Sequence, residues 1–388
     1  MNVILFDDPT LRKALLPFTY TRPLSEIRVG ILTIAEKWEK RLGTEVSYKT
    51  ESYLQKKYPI VSTLNNLLIN GAVCPDELLV DTVKSLPDGY YLVKGNFLIA
   101  ARNPDDEMTT QNTLEYESQL TIIDHPWRVF RENADQLKRD FKLITHGRKS
   151  FPITDKHTAV YGEENIFAEE GVTILAAVLN AESGPIYLGK NSIIQEGVVI
   201  RGSFALCENA QINMGAKLRG DTTVGPFSKV GGEISNSVFF GNSNKAHDGY
   251  LGNSVIGEWC NLGAGTNSSN LKNNYDTVKL WSHAENSFKN TGLQFCGLMM
   301  GDHSKSGIST MFNTGTVVDV CANIFGGGLP PTYIPSFAWG GAHGFTIYKI
   351  EKALETINKV MSRRNADFSE DDKDILLHLF KETVNVRV

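Results

Sequence analysis

A six-residue period in the second half of the chain constrains its fold more than any other feature. Eight aliphatic residues follow one another at a spacing of six: Leu188, Ile194, Ile200, Leu206, Ile212, Leu218, Val224 and Val230. This period fits neither the α-helix, with its roughly 3.6 residues per turn, nor a long alternating strand. It is typical of short strands that each point one apolar side chain inward and end in a turn.

The same spacing extends this run in both directions. Upstream it includes Val160, Ile166, Val172 and Val178, and downstream it returns as Met300, Ser306, Phe312, Val318 and Ile324. Three such hexads close one triangular coil, and each coil buries its apolar residues only against its neighbours, through parallel strand pairing. We therefore predict one solenoid over residues 158–326.

Two stretches interrupt the period and are predicted to leave the solenoid as loops. The first, 235–249, is rich in Asn and Gly, and the second, 267–294, contains Trp281 and His283. Loops on a rigid scaffold often carry function, but they are also tolerated as surface excursions. The sequence leaves both interpretations open.

Residues 1–148 have a different pattern, in which short apolar runs alternate with amphipathic segments. We predict strands at Val3–Phe6, Glu45–Lys49, Asn66–Ile69, Tyr90–Val93 and Phe97–Ala100, and helices at Gly30–Arg41, Asp76–Ser85 and Pro126–Leu143. This alternation favours a small α/β domain. After the solenoid, residues 327–388 are predicted to form a loop and two helices, the first at Phe345–Arg364 and the second beginning at Ser369 with a capping box to Asp372.

Composition excludes several classes of protein. The 388 residues are 41% hydrophobic and 21% charged, which is typical of a globular chain that is too long for one core. The formal charge of -5, without long blocks of one sign, argues against nucleic acid or an anionic membrane as a partner. The chain has no long apolar run, and its first residues become acidic too early for a signal peptide, so we expect a soluble, cytoplasmic protein. Five widely spaced cysteines predict reduced, buried thiols.

One motif within the first interrupted stretch carries a specific resemblance. The segment Lys245-Ala246-His247-Asp248-Gly249-Tyr250-Leu251-Gly252 is followed by Asn261-Leu262-Gly263-Ala264-Gly265-Thr266. This pair resembles the patterns K-A-G-H-L-x-Y-L-G-D and x-N-I-G-A-G-T of the bifunctional bacterial enzymes that make UDP-N-acetylglucosamine. The segments LPFTYTRP at 16–23 and IPSFAWG at 334–340 are similar to an alternative, shorter branch of that family.

The resemblance implies three structural units. These are a sugar-nucleotidyltransferase-like α/β domain with its connecting helix over 1–148, a left-handed parallel β-helix acyltransferase domain over 158–326, and a C-terminal loop and helices over 327–388. It also implies a homotrimer that transfers an acyl group from acetyl-CoA to an amino sugar phosphate or a sugar nucleotide.

Taken position by position, the resemblance implies that His247 is the catalytic histidine. It places acceptor contacts at Tyr250, Asn261 and Asn270, a phosphate contact at Arg219, and acetyl-CoA at Ala264 and Gly265. The chemistry is consistent, because a neutral imidazole can take the proton that an amine loses while it attacks a thioester. Backbone N–H groups in a glycine-rich turn can stabilise the developing oxyanion.

The chain departs from the family pattern near both sites. Ser235 stands where the family has a lysine, and Leu271 where it has a tyrosine, so the identity of the acceptor stays open. In the N-terminal half, Asp7-Asp8-Pro9-Thr10-Leu11-Arg12 replaces the glycine-rich phosphate loop, and Asn70-Gly71-Ala72 replaces the aspartate that holds Mg²⁺. The remaining candidates are Arg12 and Arg22 for a nucleotide, and Asp7 and Asp8 for Mg²⁺.

The leading prediction is an acyl-CoA-dependent acyltransferase fused to a nucleotidyltransferase-like domain. An alternative reverses the roles, so that the N-terminal domain transfers nucleotidyl groups and the β-helix only forms the trimer. A third class, the hexapeptide carbonic anhydrases, places three histidines at a subunit interface. His247, His283 and His303 are available for such a site, but the H-x4-H spacing of that class is absent.

Overall fold

The computed structural model describes residues 1–104 and 108–386 of the chain. Its N-terminal part is built on a six-stranded mixed sheet, in which the first strand pairs in parallel with both of its neighbours. In sheet order the strands are Val46–Lys49, Asn2–Phe6, Asn66–Asn70, Phe97–Arg102, Tyr91–Lys94 and Thr113–Glu115. A separate two-stranded sheet pairs Val73–Cys74 with Thr121–Ile122. The predicted α/β class is therefore confirmed.

Four α-helices accompany this sheet: α1 (Pro9–Ala14), α2 (Ile34–Leu42), α3 (Glu77–Lys84) and α4 (Pro126–Thr145), with 3-10 turns at Leu24–Glu26 and Thr110–Asn112. The predicted helices are confirmed, with shifted ends. The α2 helix begins four residues later than predicted, because Thr33 forms a capping box with Glu36. The α4 helix begins with a proline in its first turn, as expected.

Residues 159–341 form a solenoid of three-sided coils. Its first side, called here the docking face, consists of Ile166–Ala168, Ile186–Leu188, Phe204–Leu206, Thr222–Val224, Val238–Gly241, Val255–Glu258, Met299–Met300, Val317–Val318 and Tyr333–Ile334. Neighbouring strands on this face pair in parallel, so that coils stack one on another. A 3-10 turn, Glu163–Asn165, lies in the first coil.

Two more faces complete the coils. The pocket face consists of Thr173–Ile174, Ile193–Ile194, Gln211–Ile212, Lys229–Val230, Asn244–Lys245, Asn261–Leu262, Lys305–Ser306, Asn323–Ile324 and Ala338–Gly341, to which Gly344–Ile347 adds in antiparallel pairing. The open face consists of Ala159–Tyr161, Val178–Asn180, Val199–Arg201, Lys217–Arg219, Glu233–Ser235 and Tyr250–Gly252, and then of the paired strands Asn267–Ser268 and Met311–Phe312.

The residues of the hexad run point into this coil. All eight are at most 1% exposed, and Leu188, Leu206 and Val224 stand in register on three successive strands. Parallel stacking of three-sided coils is the architecture of the left-handed parallel β-helix, so the predicted fold class is confirmed.

The prediction of a loop over 235–249 is wrong. Val238–Gly241 lies in the docking face and Asn244–Lys245 in the pocket face, so this stretch is a regular coil. The hexad pattern lapses because the steps from Val230 to Ile234 and on to Phe239 are four and five residues long, and because Lys245 takes the next inward position, in register with Val230. In the second stretch, the antiparallel hairpin of Lys279–Ser282 and Ser287–Asn290 does leave the solenoid.

The C-terminal part forms α5 (Ile350–Ser362) and α6 (Glu370–Glu382), followed by a 3-10 turn, Thr383–Val386. The predicted capping box between Ser369 and Asp372 is confirmed. The predicted start of the first helix at Phe345 is wrong, because residues 344–347 pair as a strand with Ala338–Gly341. None of the helices in the described ranges has the length and apolarity to span a membrane.

The N-terminal part packs against the docking face and shares a hydrophobic core with it. The ring of Phe18 lies 5.2 Å from the ring of Phe240, and Arg28 Nε donates a hydrogen bond of 3.0 Å to the Phe240 carbonyl. From α4, Asn133 Nδ2 donates to the Asp221 carbonyl at 2.7 Å. The docking face is therefore closed to other partners. All five cysteines are buried, as predicted.

Candidate active site

His247 lies in an exposed turn where the pocket face meets the open face, between Asn244–Lys245 and Tyr250–Gly252. The buried Lys245 fixes this turn from inside the coil. Its Nζ donates to the carbonyl of His247 at 2.8 Å and to that of Gly231 at 3.1 Å. Burial lowers the pKa of Lys245 to about 8, although the charge of Asp248 acts in the opposite direction.

The turns of neighbouring coils stack tightly on the His247 turn. The N–H of Gly265 donates to the Asp248 carbonyl at 3.0 Å, so Ala264 and Gly265 lie directly beside the histidine turn. Gly249 has φ +124°, and a Cβ atom there would lie 2.1 Å from the Thr266 carbonyl oxygen. This position therefore requires glycine, and the backbone around His247 has little room to move.

Three of the predicted acceptor contacts lie together on the open face. Asn270 Nδ2 donates to Tyr250 Oη at 3.0 Å and to Asn253 Oδ1 at 2.7 Å. Arg219, two coils before Tyr250, forms an ion pair of 2.7 Å with Glu233, the residue in register with Tyr250. Burial raises the pKa of Tyr250, while the charge of Arg219 opposes this rise. The tyrosine is therefore a neutral hydrogen-bonding group beside an exposed cation.

Asn261 lies apart from this group, because it belongs to the pocket face. Its exposed side chain stands in register between Asn244 and Lys305, and Asn244 Nδ2 is 3.5 Å from Asn261 Oδ1. The edge of the solenoid that carries His247 separates Asn261 from Tyr250. Within one chain, the structure brings Arg219, Tyr250 and Asn270 together on one face and leaves Asn261 on the next.

A cavity of about 650 Å³ opens on the pocket face, beneath the C-terminal end of α5. Arg364, just after this helix, donates to the Phe227 carbonyl at 2.7 Å and to Asn244 Oδ1 at 2.6 Å. Sequence reasoning missed this cavity, which is called here the basic cavity. The sequence does contain a signal for this cavity. Basic or amide residues stand at one outward position of successive coils, namely Lys229, Asn244, Asn261 and Lys305.

The N-terminal candidates Asp7 and Asp8 do not fit a Mg²⁺ site. Asp7 is buried and accepts hydrogen bonds from the Leu24 N–H, from Thr50 and from Arg12, with which it forms an ion pair of 2.8 Å. Burial raises the pKa of Asp7, and the charge of Arg12 opposes this rise. Asp8 caps the N-terminus of α1. Both carboxylates are thus engaged by the chain itself, and the described residues include no cluster of three metal-binding side chains.

The two N-terminal arginines are also engaged within the chain. Arg12 donates to Tyr53 Oη at 2.8 Å and to the carbonyls of Thr19 and Arg22. Arg22 is buried and pairs with Asp302, on the solenoid. That Arg12 and Arg22 contact a nucleotide remains a prediction. At the Asn70-Gly71-Ala72 turn, the Asn70 side chain itself accepts from the Ala72 N–H at 3.1 Å.

A second cleft, of about 430 Å³, lies beside α1, and its walls include Arg12, Lys13, Tyr53, His283 and His378. The rings of Tyr53 and His378 stack at 4.2 Å. The cleft lies just beyond the carboxyl end of the first strand, which is where α/β sheets commonly bind ligands.

The three histidines considered for a metal site lie in three different places. His247 is in the exposed turn described above, and His283, in the hairpin, hydrogen-bonds through Nε2 to Asp319 at 2.9 Å. His303 lies in another turn of the solenoid, and burial lowers its pKa to about 3. One chain therefore does not bring these three side chains together.

Comparisons with known proteins give a match to one protein family and matches to individual proteins. Residues 3–149 match the family described as sugar nucleotidyl transferase. Over 236 residues the chain is 31% identical to the bifunctional protein GlmU of an Exiguobacterium species, covering 55% of this chain and 51% of that protein. Part of the chain is thus similar to bifunctional GlmU proteins. A GlmU from Trichodesmium erythraeum is 37% identical over 95 residues, which cover 24% of this chain and 19% of that one.

The chain thus spans about half or less of the GlmU proteins that it matches. Among solved structures, an Arabidopsis UDP-N-acetylglucosamine acyltransferase covers 54% of this chain and 78% of its own, at 15% identity and a TM-score of 0.26.

Proposed function

We propose that this chain transfers an acyl group from acetyl-CoA to an amino sugar phosphate or a sugar nucleotide at the His247 turn. The observation that carries the proposal is the arrangement of this turn. An exposed histidine is held by a buried lysine beside a glycine-rich turn, next to a face with an arginine, a tyrosine and an asparagine. The relationship to GlmU supports the same reaction class.

In the proposed mechanism, the amine nitrogen of the acceptor attacks the thioester carbonyl carbon, so a C–N bond forms and the C–S bond breaks. His247 takes the proton from the amine and returns it to the departing thiolate. Arg219 binds the acceptor phosphate, and Tyr250 and Asn270 position the sugar. The N–H of Ala264 stabilises the oxyanion, because the N–H of Gly265 already donates to the Asp248 carbonyl.

A homotrimer is part of this proposal, because the solenoid has one side left for another copy. The N-terminal part covers the docking face, and α5 covers part of the pocket face. The edge that carries His247 also carries Met214 and Ile308, which are 70% and 77% exposed. A second copy packed on these apolar side chains would close the site over His247. It would also supply its own Asn261 to the face that carries Tyr250, which the Asn261 of the same chain does not reach. Sedimentation of a monomer at micromolar concentration would contradict this part of the proposal.

Replacing His247 tests the proposed chemistry. We expect His247→Ala to lower the rate of thiol release from acetyl-CoA with glucosamine-1-phosphate by about 10² to 10⁴, the usual effect of losing a general base. The exposed His157, just before the first coil of the solenoid, gives the control variant His157→Ala, which should keep the wild-type rate. Wild-type turnover by His247→Ala would rule out the assignment.

The match of residues 3–149 to sugar nucleotidyl transferases favours a second activity, in which the cleft beside α1 takes a nucleoside triphosphate. Pyrophosphate release from UTP and N-acetylglucosamine-1-phosphate tests it in a separate assay. Because Asp7 and Asp8 are engaged, we expect this activity to be weak. Arg12 lines the cleft although it is engaged as well, so we expect the activity to depend on Arg12 or Arg22 more than on these carboxylates. Both activities use cytoplasmic substrates, and the cytoplasm is the proposed location.

A further inference from the structure

The walls of the basic cavity contain four cations and no carboxylate. The cations are Lys229, Lys305, Arg363 and Arg364. None of them forms an ion pair within residues 1–104 and 108–386, whereas Arg12, Arg22 and Arg28 elsewhere in the chain each pair with an acid. This concentration of unpaired positive charge in one concave site attracts anions.

Two of these cations are partly buried without a compensating charge. The Nζ of Lys305 donates to the His303 carbonyl at 3.0 Å, and burial lowers its pKa. The guanidinium of Arg364 donates to two neutral acceptors, the Phe227 carbonyl and Asn244 Oδ1. Burial lowers the pKa of Arg364, and the adjacent charge of Arg363 lowers it further. Burying a cation away from any anion costs free energy, so an anion between these two groups would stabilise the folded chain.

The remaining walls have the chemistry of a nucleotide site. Amide side chains line the strands and turns as hydrogen-bonding groups: Asn209, Asn242, Asn244 and Asn261. The aromatic rings of Phe227 and Trp259 stand at the rim, both on turn residues with positive φ. The cavity volume of about 650 Å³ falls within the roughly 300 to 1,000 Å³ that is usual for small-molecule sites.

We propose that the basic cavity binds a nucleoside diphosphate group, with its phosphates between Lys305 and Arg364 and its base against the ring of Trp259. Two sources share this chemistry, namely the 3′,5′-ADP portion of coenzyme A and the UDP portion of a sugar nucleotide. The site is inferred from its own charges and shape, so it stands whether or not His247 performs acyl transfer.

Isothermal titration calorimetry of the full chain tests the proposal without turnover. The probes are coenzyme A, UDP-N-acetylglucosamine and inorganic phosphate, each at two salt concentrations. The variants are Lys305→Met, Arg364→Gln and the exposed Lys229→Gln, with the exposed Lys190→Met, outside the cavity, as the matched control. Lys229→Gln keeps the test valid even if a change at a buried position disturbs folding.

We expect at least one of the two nucleotides to bind, more weakly at high salt. Each cavity variant should weaken that binding about tenfold or more, the effect of losing one charged hydrogen bond, and Lys190→Met should leave it unchanged. Which nucleotide binds identifies the source. The proposal is overturned if neither binds, if inorganic phosphate alone binds, or if all three cavity variants bind like the wild type, which would place the nucleotide elsewhere.

Discussion

Replacing the buried Lys245 with methionine is expected to change how the free energy of unfolding depends on pH. Lys245 is 1% exposed and stands in register with Val230 inside the β-helix. Burial lowers the pKa of its ammonium group from the ordinary 10.5 to about 8, with Asp248 opposing the change. Methionine has a similar shape and no charge, so the variant keeps the packing and loses the titration.

The sign and size follow from proton linkage. The folded chain releases this proton near pH 8 and the unfolded chain only near pH 10.5, so the unfolded state holds more protons between these values. The free energy of unfolding therefore rises with pH in this window, and the contribution is lost again as the pH falls toward 8. Between pH 7 and pH 9.5, this rise amounts to about 2 kcal/mol in the wild-type chain and is absent from the variant.

Urea unfolding at pH 7 and at pH 9.5 measures the effect. The wild type and the two variants, Lys245→Met and the exposed control Lys190→Met, differ only in the lysine that each variant replaces, so the comparison isolates position 245. Relative to Lys245→Met, the wild type should gain about 2 kcal/mol at the higher pH, and Lys190→Met should behave like the wild type. If Lys245→Met followed the wild-type pH dependence, the reasoning about this buried charge would be refuted.

Two further predictions concern contacts that hold the site in place. Asp302→Asn removes the nearer acid partner of the buried Arg22 and leaves it only the more distant Glu258, at 3.4 Å. Urea unfolding should therefore show a loss of up to about 3 to 5 kcal/mol; a change below 1 kcal/mol would contradict this. Gly249→Ala sets a Cβ atom against the Thr266 carbonyl and should reduce acyl transfer, whereas Gly327→Ala, which meets no atom within 4 Å, should leave the rate unchanged. Equal rates for these two variants would show that the His247 turn tolerates displacement.

The β-helix could be predicted from sequence because its determinant is local and repeated. An inward aliphatic residue every six positions specifies each strand and turn, as at Leu206 and Ile212. The same rule failed between Val230 and Lys245 for two reasons. The inward steps to Ile234 and Phe239 are shorter than six residues, and a lysine can occupy an inward position when backbone carbonyls satisfy its ammonium group. The helical pattern was equally misleading at Phe345, where strand pairing with Ala338–Gly341 overrides local preference. The domain boundaries stay a prediction.

The candidate site was harder to predict, because it depends on which side of the coil each residue occupies. The motif spacing placed Tyr250 and Asn261 close together along the chain, but one residue lies on the open face and the other on the pocket face. The basic cavity depends on a contact between Arg364 and Asn244, which are 120 residues apart. No local pattern encodes such a contact.

The docking of the N-terminal part on the solenoid has a consequence for how the chain folds during synthesis. Coils pair with neighbours about one turn away in sequence, as Ile194 does with Ile212, so the β-helix can grow by successive addition. The docking contacts join residues 212 positions apart, from Arg28 to Phe240, and 280 apart, from Arg22 to Asp302. The ribosome therefore completes the N-terminal part well before it makes the surface that covers it. Until then, apolar side chains such as Phe18 lack their partner, and a chaperone that shields them should raise the yield of folded protein.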